Sequence, residues 1–117
     1  MFFRLKKSTI EEAGIGVFST TYIKAGDKLI TLFDESGVRW VPVEEFDKLN
    51  ISAELKENFS IKFDEGYSMP ADFNRICVGW YLNHSVNPNL HFNEEYEYFA
   101  SRDIHPGEEL FIDYGKL

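Results

Sequence analysis

Runs of β-branched and aromatic residues in this chain are short, and turn-forming residues stop most of them within about six positions. Ala13-Gly14, Ala25-Gly26 and Asp34 to Gly37 separate Phe2–Leu5, Gly16–Thr20 and Lys28–Phe33, read as three strands, with Val38–Val41 as a fourth. After Pro42 the period changes. Val43, Phe46 and Leu49 recur at every third position with Glu44 and Glu45 in the first turn, which predicts a short helix. Ser52 is placed to cap a second helix running to Phe59. Strands are predicted again at Ser60–Phe63, Tyr67–Met69, Tyr96–Ala100 and Glu109–Ile112. Between them Asp72–Leu82 reads as a helix capped by Asp72, whose apolar residues fit helical spacing only loosely. Many short strands around two or three brief helices make a mainly β, α+β domain.

No stretch is rich enough in Ser, Pro or Gly to act as a linker, so residues 1–117 read as a single domain. Twelve basic against 20 acidic residues give a net charge of −8, which argues against a nucleic-acid partner and favours a basic one. The single Cys77 allows neither an internal disulfide nor a cysteine-rich zinc cluster, and His84, His91 and His105 lack ligand spacing, so no metal is expected. A reducing, cytoplasmic setting fits this usage, with export to another cell left open. The start, Met-Phe-Phe-Arg-Leu-Lys-Lys, has no signal-like apolar stretch, and no window approaches the ~18 apolar residues of a membrane span.

Four segments stand out. Ile23-Lys-Ala-Gly-Asp-Lys-Leu29 and Ile104-His-Pro-Gly-Glu-Glu-Leu110 share Ile-x-x-Gly-acid-x-Leu; two similar turns and a duplicated half-domain both explain this echo. Gly14-Ile-Gly16 lacks the third glycine of a dinucleotide fingerprint and precedes strands, so it reads as a tight turn or as bare backbone against which a ligand can lie. Asn83-His-Ser-Val-Asn-Pro-Asn89 reads as a turn. Alternatively, if Trp80-Tyr-Leu82 carries it into the core, it is a buried polar segment in need of partners or a ligand. His84, Ser85 and Asp113 have the residue types of a hydrolytic triad, but an adjacent His and Ser on one turn cannot face each other as base and nucleophile. Finally, Glu94, Glu95 and Glu97 with Glu108 and Glu109 form an acidic neighbourhood, either a solvated face or a docking surface for a basic partner.

Taken in order, Ala13-Gly-Ile-Gly-Val-Phe18, Asn83-His-Ser-Val-Asn-Pro-Asn89 and Pro106-Gly-Glu-Glu-Leu-Phe-Ile-Asp-Tyr-Gly115 resemble the SET domain of lysine methyltransferases over nearly the whole chain. The resemblance implies a β-clip of small curled sheets with short inserted helices and a C-terminal pseudoknot that sets Asn83 to Asn89 beside Tyr114. It implies S-adenosylmethionine against the backbone of Ala13, Ile15 and Gly16, its amino-acid end held by Asn83 and its adenine met by the His84 main chain. Tyr114 would be the catalytic tyrosine, with Phe33, Phe92 and Ile112 lining the substrate channel. Phe92 and Ile112 carry no hydroxyl, so products beyond monomethyl-lysine are expected. The implied activity is methyl transfer to lysine in a basic protein; the alternative is a catalytically silent SET-like module that binds a basic peptide. The chain departs from the family in three places. Trp80-Tyr81 stands where Arg-Phe is usual, Phe33 to Gly37 replaces a Tyr-Gly motif, and only three residues follow Tyr114 where a covering tail is usual. The expected cover is a second copy of the chain, forming a homodimer, or else the peptide itself, which then tightens weak cofactor binding in a monomer.

Overall fold

In the computed structural model, which describes residues 1–117, the two echoed segments pair with each other. Ile23 and Ile104 exchange both backbone hydrogen bonds at 2.8 Å. The relation continues outward: Gly26 N donates to Ala100 O and Gly107 N to Ser19 O, each at 2.8 Å. Lys28 bridges Phe99 as Glu109 pairs with Phe18. Each contact maps onto its counterpart by one constant offset in sequence, so the echo is a local twofold pattern rather than two unrelated turns. The acidic position of the motif has a structural task, since Asp27 accepts from Lys24 N (3.1 Å) and Glu108 from His105 N (2.6 Å). Ile23, Leu29, Ile104 and Leu110 are all buried around this axis.

The elements in chain order are β1 (Phe3–Lys7), β2 (Ile15–Ser19), β3 (Val38–Pro42), α1 (Val43–Phe46), α2 (Ala53–Asn58), β4 (Ile61–Lys62), β5 (Gly66–Pro70), β6 (Asn83–His84), β7 (Leu90–Phe92), β8 (Tyr98–Ala100) and β9 (Glu109–Ile112), with 3₁₀ turns at Glu35–Gly37, Val78–Tyr81 and Tyr114–Lys116. No helix is long and apolar enough to cross a membrane. The chain divides into two units, Met1–Leu32 with Tyr81–Leu117, and Phe33–Trp80.

The first unit holds a four-stranded sheet in the order β1-β2-β9-β6 and the β7-β8 hairpin. The edge strand β1 carries Arg4, Lys6 and Lys7, which discourage edge-to-edge pairing, and Lys6 lies over the Phe18 ring. The second unit is a β3-β5-β4 sheet whose Val41 and Met69 pack with Phe46 of α1. Ser52 caps α2 as expected, accepting from Leu55 N at 3.2 Å.

Two expected elements are different. Lys28–Phe33 is not a strand: after Lys28 pairs with Phe99 the chain turns, burying Leu29 and Leu32 and leaving Ile30 exposed. Asp72–Leu82 is not a helix. Asp72 caps only an isolated turn, accepting from Asn74 N at 2.9 Å, and coiling resumes at Val78. Within that turn the Phe33 ring fills the space where a Gly79 side chain would stand, at 2.3 Å from the ideal Cβ. Two elements were not foreseen from sequence, β6 within the polar run and β7 directly after it.

Gly26 and Gly107 have φ of +89° and +91° and open space on the side a Cβ would take. Only backbone strain opposes a side chain at either position, so Gly26→Ala and Gly107→Ala should each destabilise by about 1–2 kcal/mol. Urea unfolding midpoints should shift by similar amounts for the two.

Candidate active site

β9 organises the candidate site because two segments distant in sequence attach to it, the run 83–89 at both its ends and the 8–14 loop. β6 pairs with it in parallel, setting Asn83 opposite Phe111 and His84 opposite Ile112. The same loop returns at Asn89, whose buried amide donates to Glu109 O and accepts from Phe111 N, both at 2.8 Å. Asn89 thus substitutes for a strand's backbone. The polar run 83–89 is therefore clasped to the C-terminal strand at both ends, with the buried Asn89 amide fully used.

The second segment is the 8–14 loop between β1 and β2. It closes through Ser8 N to Gly14 O at 2.7 Å, and Gly14 turns the chain with φ +74°. The Glu109 carboxylate anchors this loop. It accepts from Ser8 Oγ (2.8 Å), from Thr9 N and Thr9 Oγ1 (2.7 Å each), and from Asn83 Nδ2 (3.1 Å). Burial pushes the Glu109 carboxyl up, but the bonds from Thr9, Asn83 and Ser8 outweigh it and hold the group below the usual glutamate range. The two glycines of the turn consequently do different work. A Cβ on Gly16 would stand 2.3 Å from Glu109 Oε2, whereas Gly14 faces open space.

Asn83 Nδ2 also donates to Ile15 O at 3.0 Å, so one side chain ties β6 to the start of β2. Ile15 is exposed and Ala13 half-buried, which leaves this stretch of backbone approachable by a ligand.

Tyr114 follows β9. Its hydroxyl donates to Leu82 O, and its N–H donates to His84 Nδ1 at 2.9 Å. Nδ1 faces that N–H as an acceptor, and Asp113 Oδ1 lies 3.7 Å from the same nitrogen. Burial raises the Tyr114 phenol, which keeps it protonated. Of the remaining expected site residues, Ile112 is buried in the first unit, and Phe92 is half-buried and stacks on Tyr96 with ring centres 5.6 Å apart. An open groove of about 840 Å³ runs beside Phe92, with Tyr96, Val86 and Pro88 as apolar lining and Glu94, Asp113 and Lys116 as charged lining. Phe33 belongs to the second unit, where it meets Trp80 edge to face. Sequence alone places Glu109 only in an acidic neighbourhood; alternation along β9 sets it on the face opposite the buried Leu110 and Ile112, so no local signal marks it as buried.

A family model of the SET domain matches residues 14–115, from the Gly14 turn to the residue after Tyr114. The chain belongs to the SET-domain family. Members of this family are generally S-adenosylmethionine-dependent lysine methyltransferases. Solved structures agree on the fold. A candidate histone methyltransferase of Plasmodium falciparum aligns at 20% identity and TM-score 0.59, over 98% of this chain and 94% of that one. Polycomb repressive complex 2 from a Chaetomium source, in an autoinhibited conformation bound to S-adenosylmethionine, aligns at 24% identity and TM-score 0.68 over 97% of this chain. A humanized mutant of the Chaetomium thermophilum complex, bound to the inhibitor GSK126, aligns at 26% identity and TM-score 0.70 over 98% of this chain. This chain spans 15% of each of those two Polycomb chains. Among curated proteins, none matches. The SET fold agrees with the expected mainly β architecture of several small sheets and short helices.

Two outcomes follow from the position of Glu109. Gly16→Ala should displace its carboxylate and lower stability by about 1–3 kcal/mol, read by calorimetric melting. An unfolded glutamate titrates near ~4.3, and the folded Glu109 lies lower, so its contribution is fully present above that value and is lost as pH falls through the folded one. Stability measured across this acid range should fall more steeply in the wild type than in Glu109→Gln.

Proposed function

We propose that this SET domain transfers methyl groups from S-adenosylmethionine to the side-chain amine of lysine in basic proteins. The observation that carries the reading is the β6–β9 pairing, which brings Asn83, the 8–14 loop and Tyr114 to one strand. The residues fit the cofactor: Asn83 spends its amide nitrogen inside the chain and keeps its oxygen for a donor such as an α-ammonium, beside the approachable backbone of Ala13 and Ile15. The His84 main chain is the proposed neighbour of the adenine. When bound, S-adenosylmethionine supplies a methyl group made electrophilic by its sulfonium.

The chain's own work is then positioning and control of protonation. Tyr114 commits its proton to Leu82 O, so its oxygen is left as an acceptor that can orient an amine N–H. A phenol held protonated does not remove the amine proton; deprotonation must come from desolvation. Lysine titrates near ~10.4 in water and is driven toward its neutral form in an apolar channel, to which Phe92 and Ile112 are assigned. Without hydroxyls at Phe92 and Ile112, room is left for more than one methyl. Glu94 and Asp113 outnumber Lys116 at the groove and, in a chain of net charge −8, favour a basic peptide. The two units act as one domain, a reading supported by the one family model that runs through both.

Tyr114→Phe should reduce radiolabel transfer to a basic protein mixture by on the order of 10²-fold, with cofactor affinity within a few-fold of wild type. Wild-type activity in that variant would reject the assigned role. Asn83→Ala should weaken calorimetrically measured cofactor binding by roughly 1–3 kcal/mol. A wild-type chain that binds a lysine-rich peptide but no cofactor would instead be a silent peptide-binding module.

A further inference from the structure

The Asn83 amide is held by two acceptors at one end. Its nitrogen lies 3.0 Å from Ile15 O and 3.1 Å from Glu109 Oε2. Neither partner can donate, since one is a carbonyl and the other an ionised carboxylate, so only the nitrogen can occupy that side. The orientation of the amide is thereby decided, and its oxygen becomes the atom that a ligand meets. We infer that Glu109 is a positioning residue for the cofactor: it sets the donor–acceptor polarity of Asn83 so that the amide oxygen accepts from the α-ammonium of S-adenosylmethionine. This rests on the methyl-transfer reading.

Only an ionised carboxylate suits the position. Ser8 Oγ, Thr9 N, Thr9 Oγ1 and Asn83 Nδ2 converge as donors, and both carboxylate oxygens accept from them. A glutamine there would offer one acceptor oxygen and turn its own N–H₂ toward at least one donor. The same carboxylate also anchors the 8–14 loop, so the loop backbone and the Asn83 oxygen are placed by a single group. Gly16 leaves it the room to do so.

The experiment is a polarity swap read by calorimetric titration with S-adenosylmethionine. Asn83→Asp sets a second carboxylate against Glu109 and should weaken binding by roughly 30-fold. Glu109→Gln alone should also weaken it, by about tenfold. Combined, the two substitutions restore a donor facing an acceptor, the new amide nitrogen donating to the new carboxylate, and the pair should bind several-fold more tightly than Asn83→Asp alone. If adding Glu109→Gln to Asn83→Asp weakens binding further, Glu109 acts only on stability and the inference fails. A measurement on the wild type does not depend on the variants folding. The Asn83 side-chain amide protons, followed by NMR, should exchange slowly with water and shift when cofactor binds; fast exchange overturns the inference. A wild-type chain that binds no cofactor overturns the functional reading and this inference together, whereas tight wild-type binding without rescue in the swap overturns the inference alone.

Discussion

Glu109 is a charged side chain that the fold takes out of water, and much of the site's geometry depends on the donors that make this tolerable. An ionised carboxylate in a buried position is costly unless its lone pairs are filled. Ser8, Thr9 and Asn83 fill them, and in doing so they bring the 8–14 loop and β6 onto β9. Gly16 is bare because the carboxylate occupies the space its side chain would need. The glycine pair that invites a ligand-binding reading thus has one member in the service of an internal ion and the other in the service of a turn.

Around this group, the local twofold pattern supplies rigidity. The Ile23–Ile104 bridge and the paired Gly26 and Gly107 turns lock the chain on either side of β2 and β9, the strands on which the site is built. Buried aliphatic residues from both copies of the motif fill the space on the axis. A site assembled from loop 8–14, a two-residue strand and a C-terminal turn would be loose on its own. Seated on strands fixed at two related points, it has a firm frame.

The polar run 83–89 shows how a segment that looks like a turn can serve as structure. Asn89 makes with its side chain the two hydrogen bonds that a strand would make with its backbone, and Asn83 reaches to Ile15 and Glu109. Tyr114 then closes the arrangement through Leu82 and His84. The Asn83 nitrogen and both ends of the Asn89 amide are thereby used within the chain.

What was legible in the sequence is what local chemistry controls. The strands at β2, β3, β5 and β9, the Ser52 cap and the turn glycines of the echoed motif depend on residues within a few positions of one another. The order of the three motifs carried the family and named Asn83 and Tyr114. Where local preference met packing, packing won: Lys28–Phe33 turns to bury Leu29 and Leu32. The pairing of the two motifs, the strand role of Asn83–His84 and the place of Glu109 were decided by tertiary structure alone. Glu109 lies 101 residues from Ser8 and 26 from Asn83 along the chain, and no local signal joins groups so far apart. Only the folded chain brings those donors to one carboxylate, because the charge is tolerated out of water only where they meet it together.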